Sequence, residues 1–191
     1  MNASDQATIA AAPPACQLIA ELTAGWHAGL PEDCATVAAA DVPAPFHDLL
    51  VHRRHMTIVL RQRYASPLHL IVHRAARDPR SYRRCITLST APGGPVVELG
   101  LVRLNLAMIP AAAQEEILHQ SAPLGDVLNR HRILRRILPT HYLRVPPASS
   151  LLRFFDYASP RPLYGRTGII LCNGQPAIDV LEIVTGIDPA P

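Results

Sequence analysis

Not one lysine occurs among the 191 residues; all 18 basic side chains are arginine. With 15 acidic residues the formal charge is only +3, too small a bias to define a polyanion-binding protein. Arginine's planar fork suits bidentate binding of a carboxylate better than lysine does. The four cysteines, Cys16, Cys34, Cys85 and Cys172, form no Cys-x-x-Cys, so a zinc site and a thioredoxin-type motif are both excluded and reduced thiols are expected. His52 and His55 stand three apart without an acidic third ligand nearby in sequence, which leaves no metal site to predict. Aromatic residues make up 5% of the chain and do not interleave with Arg130-His-Arg132 or Arg135-Arg136, so these read as a solvated basic stretch, not a nucleic-acid surface. No apolar run approaches the ~20 residues of a membrane span. Met1–Asp5 lacks a basic start, which makes Ala10–Pro14 a poor secretory signal and a cytoplasmic location the expectation.

What is present reads as one domain. Residues 1–45 form an Ala/Pro-rich N-terminal extension, expected to be poorly ordered over 1–15 with a short amphipathic helix at Cys16–Ala24; residues 46–191 form the main domain. Phe46–His55 is predicted helical, and Met56–Tyr64 is a second short helix or, from Thr-Ile-Val, a strand. Strand character follows at Leu68–Ala75, Ser81–Thr90 and Pro95–Leu106, the last two joined across Pro92-Gly93-Gly94. Helices are predicted at Pro110–Gln120 and Leu124–Arg130, then a strand over Arg132–Val145 interrupted by Pro139. Arg166–Cys172 and Pro176–Val184 form a hairpin across Asn173-Gly174. Strands joined by hairpins, with helices grouped before and midway, give an α+β fold around a roughly six-stranded antiparallel sheet.

Two charges fall on apolar strand faces. Period-2 alternation puts Glu182 with Ile178, Val180 and Val184, and Arg84 with Ile86 and Leu88. An unpaired buried charge is prohibitive, so each requires a partner, either the other or a polar ligand between them. Arg166 shares a face with Gly168 and Ile170 and is either a second ligand contact or a structural ion pair.

These residues carry a resemblance. Leu163-Tyr-Gly-Arg-Thr-Gly-Ile-Ile-Leu-Cys-Asn-Gly-Gln-Pro176, followed by Glu182, looks like the Gly-Arg strand, Gly-x-Pro turn and active-site glutamate of the chorismate pyruvate-lyase family. Ala122-Pro-Leu-Gly125, His55-Met-Thr57 and Arg84 before Ile-x-Leu resemble three further pieces in the same order, over roughly residues 47–186. The resemblance implies a chorismate lyase-like fold and cofactor-free conversion of chorismate to 4-hydroxybenzoate and pyruvate, serving ubiquinone biosynthesis or aromatic secondary metabolism. It implies catalytic roles for Glu182 and Arg84, with substrate bound by Arg84, Glu182 and the main chain at Met56 and Leu124; Arg166 is a second candidate for the other substrate carboxylate. It also favours reading Pro146–Pro162 as a flap over the ligand rather than as a packed crossover loop.

The chain departs from the pattern where Tyr164-Gly165 replaces the Trp-Gly of some relatives and Arg166-Thr167 replaces Arg-Arg, and over residues 1–45 it has no match. Two other readings compete. Effector-binding domains of some bacterial regulators share this fold but normally follow a winged-helix domain, for which residues 1–45 are too short. In a purely structural protein, Arg84 and Glu182 would simply pair with each other.

Overall fold

A computed structural model describes residues 2–25, 34–155 and 161–187. In chain order the elements are α1 (Ala3–Ala10), α2 (Ala15–Thr23), β1 (Ala35–Val37), α3 (Phe46–Leu50), α4 (Met56–Tyr64), β2 (His69–Arg77), β3 (Ser81–Ser89), β4 (Val96–Asn105), α5 (Ala111–Leu118), α6 (Leu124–Arg130), β5 (Arg135–Val145), β6 (Leu163–Cys172) and β7 (Gln175–Val184). The strands make one sheet in the order β1-β5-β6-β7-β4-β3-β2, antiparallel at every pairing. The α+β class holds, with one strand more than the roughly six expected. Ala35–Val37 is too short to show alternation and forms only because β5 offers it an edge, Thr36 opposite Leu143.

Strand alternation divides the core between the two sheet faces. The even-numbered residues of β3, β4, β6 and β7 line the front face, where α3 to α6 pack. Cys85, Leu99, Leu101, Leu181 and Ile183 line the back face under Leu18, Ile19 and Leu22 of α2. The β6–β7 hairpin turns at Asn173 (φ +51°) and Gly174 (φ +84°), the paired positive φ that a two-residue hairpin loop requires.

Several expectations change. Residues 3–10 are helical where composition suggested poor order. Asn2 caps this helix by accepting from the Asp5 amide at 2.8 Å, buried Asp5 reaches Arg136 at 2.9 Å, and Ile9 packs near Leu138, Ile169 and Leu171. The helix expected over Phe46–His55 stops at Leu50, and Met56–Tyr64 is helical despite its β-branched residues. Pro146–Phe155, the described part of the expected flap, does not cover the front face. Leu151 and Phe155 are buried in the back-face core beside Leu143 and Val145, while residues 156–160 lie outside the described residues. In the basic stretches Arg130 pairs with Glu116, Arg136 with Asp5, and Arg135 donates to the His55 ring and the Ile133 carbonyl. No helix is long and apolar enough to cross a membrane among the described residues.

Candidate functional site

The front face has a cavity where its two apolar clusters meet. Leu88, Ile86 and Arg84 of β3, Glu98, Gly100 and Val102 of β4, and Val180 and Glu182 of β7 form its floor. The N-terminal ends of α4 and α6 close over it with His55, Met56, Thr57, Pro123, Leu124 and Gly125. The empty space between these walls, open solvent included, is about 520 Å³. Glycine at 100 keeps the floor low: a Cβ there would press on Ile86 Cδ1 at 3.1 Å and approach Glu98 Oε1 at 3.6 Å.

The two helices meet closely above the floor. A Cβ on Gly125 would lie 3.1 Å from Thr57 Oγ1, so the small residue of the Pro-Leu-Gly turn lets α6 approach α4. Arg61 of α4 and Asp126 of α6 lock the pair with two hydrogen bonds of 2.7 Å. Neither helix start has a side-chain cap, which leaves main-chain amides of the first turns beside the cavity without that partner.

Met56, Leu124, Arg84 and Glu182, distant in sequence, all line this one cavity; Arg166 does not. Arg84 and Glu182 are not each other's partner. Register places Glu182 opposite Arg166, and Arg166 Nε donates to Glu182 Oε2 at 2.6 Å. The rest of the Arg166 fork is occupied by the carbonyls of Leu50 (2.9 Å), His52 (2.8 Å) and Arg54 (3.3 Å), so the structural alternative holds for this residue. These contacts also tie the irregular segment before α4 to the sheet.

Arg84 differs. It is 2% exposed, and its Nε and Nη1 have no hydrogen-bond partner among the described residues. Burial holds its pKa below the usual arginine value, opposed by the nearby Tyr82 phenol.

The residue that sequence reading missed is Glu98. It is 4% exposed, lines the same cavity, and its Oε2 has no partner among the described residues. Its signal was available, since alternation along β4 puts it on the face of Gly100 and Val102. Burial first, and the neighbouring Glu182 second, push its pKa well above the carboxylate range, with Arg166 opposing. His55, at the rim, is held neutral by burial and by Arg135, its pKa lowered to about 4.

No family model matches the sequence, and no curated protein does. Among solved structures the chain is similar to PhnF from Mycobacterium smegmatis, at 13% identity over 73% of this chain and 67% of that one, with a TM-score of 0.56. A chain described as the ligand-binding domain of a GntR-family transcriptional regulator from Bordetella bronchiseptica matches at 11% identity, over 61% of this chain and 85% of that one, with a TM-score of 0.48. The C-terminal domain of Yurk from Bacillus subtilis matches at 12% identity, over 66% of this chain and 93% of that one, with a TM-score of 0.38. The fold is thus the α+β architecture of the PhnF structure. At this identity the likeness concerns the fold alone.

Proposed function

We propose that this chain is a small-molecule-binding domain whose cavity takes a small organic acid, its carboxylate on Arg84. The observation that carries this reading is the pair of buried, unpartnered nitrogens on a guanidinium lining a cavity. Leaving such donors unsatisfied is costly, and a carboxylate answers the fork in kind. The start of α4, which has no side-chain cap, lines the same rim.

A second reading, chorismate pyruvate-lyase activity, is favoured by one observation: four positions the family resemblance singles out, Arg84, Glu182, Met56 and Leu124, converge on one cavity. In that reading Arg84 binds a substrate carboxylate and Glu182 orients the ring hydroxyl. The ring aromatises as its C4 hydrogen is lost and the enolpyruvyl ether leaves as pyruvate, so catalysis rests on positioning and charge complementarity.

One experiment separates the two. Purified protein is titrated calorimetrically with 4-hydroxybenzoate and with chorismate, and the chorismate samples are then chromatographed. Saturable binding that raises Tm and disappears in Arg84→Ala, with chorismate recovered intact, is the expected result. Equal amounts of 4-hydroxybenzoate and pyruvate would establish the lyase, and Glu182→Ala and Arg84→Ala should then each cost about 10²-fold or more in kcat/KM. Binding unaffected by Arg84→Ala would overturn both assignments of the site.

A further inference from the structure

The cavity contains two buried ionisable groups of opposite type, each with polar atoms that have no hydrogen-bond partner among the described residues, and this narrows the ligand further. Arg84 Nε and Nη1 are unpartnered at one end, and Glu98 Oε2 at the other. Glu182, on β7 opposite Gly100, already has its cation in Arg166. Arg166 cannot serve Glu98 as well, because the carbonyls of Leu50, His52 and Arg54 hold its remaining nitrogens. No arginine or histidine forms an ion pair with Glu98 among the described residues.

The geometry points to a zwitterionic ligand: a small organic acid whose far end, opposite the carboxylate, carries a protonated amine seated on Glu98. This rests on the ligand-binding reading above. Arg84 pairs with Val102 and Glu98 with Leu88, so the two groups stand four residues apart along adjacent strands. That is about 13 Å between backbone positions at a strand rise near 3.3 Å per residue. Both side chains line the cavity, so a ring-sized spacer suits the interval between their charged ends. The surface between them is apolar: Ile86, Val102, Val180 and the bare floor at Gly100. An acid with only a carboxylate would satisfy Arg84 and leave Glu98 Oε2 buried without a hydrogen-bond partner, which an ammonium group supplies.

The test uses the intact wild-type chain and three probes of matched shape: 4-(aminomethyl)benzoate, 4-hydroxybenzoate and 4-methylbenzoate. The amine should bind at least about tenfold more tightly than the methyl compound, a low bound for a desolvated ion pair. In Glu98→Gln, of nearly identical shape, that advantage should fall below about twofold, while Arg84→Ala should lose all three probes. Equal affinity for the amine and the methyl compound in the wild type would overturn the proposal whatever the variants do. Tighter binding of 4-hydroxybenzoate than of the amine would overturn the zwitterion and leave the organic-acid reading standing. No binding of any probe would remove both.

Discussion

Two arginines are buried on the same face of the same sheet, and they live in opposite circumstances. Arg166 on β6 has a carboxylate on its Nε and three main-chain carbonyls on its other nitrogens. Arg84 on β3 is as deeply buried and has two nitrogens with nothing to bond among the described residues. The first is a structural post that fastens the segment before α4 to the sheet. The second is a donor left open on the cavity wall. Burial of a charge therefore does not by itself point to a ligand; buried polar atoms without a partner call for an explanation, and at Arg84 the proposed ligand supplies one.

The sharpest way to break this contrast is to remove each arginine in turn. Arg166→Met should cost about 3–5 kcal/mol in urea unfolding, because it strands the Glu182 carboxylate and frees three carbonyls. Arg84→Met should be neutral or stabilising in the same assay, since it removes donors that have no partner, yet it should abolish ligand binding. A similar loss of stability from both would erase the distinction. The next effect is pH-dependent. Because the folded pKa of Glu98 lies well above its unfolded value, its protonated form favours the fold, and stability declines as pH rises from the ordinary glutamate range toward the folded pKa. Glu98→Gln lacks that titration, so its Tm should gain on the wild type between pH 4.5 and neutral, with no gain at more acid pH. A constant Tm difference across the range would refute the buried-acid assignment. The smallest effect is at the α4–α6 clasp: Arg61→Ala, half-exposed, should cost only about 0.2–1 kcal/mol, while double-mutant analysis with Asp126→Ala isolates the pair.

Strand parity alone located Arg84 and Glu182, because a period of 2 fixes which face a residue takes once the strand is recognised. Their partners were hidden, since opposition of Arg166 and Glu182 depends on the register of β6 against β7. Glu98 carried the same parity signal within a strand that was recognised, but Glu-Leu-Gly near a hairpin does not announce burial in an otherwise apolar stretch. The Pro146–Phe155 segment failed for another reason. Its leucines and phenylalanines show that it must bury against something, and only the sheet order decides that the something is the back face. The first helix was obscured by composition, since Ala-rich sequence near a terminus resembles a linker until Asp5 finds Arg136 over 130 residues away.

Gly100 has a consequence beyond allowing the floor to lie flat. A single missing methyl, bounded by Ile86 at 3.1 Å and Glu98 at 3.6 Å, acts as a size gauge at the centre of the sheet. In the ligand-binding reading proposed above, one carbon added there would trim the room for a guest and crowd the Glu98 carboxyl at the same time, so size and polarity are coupled at this single position.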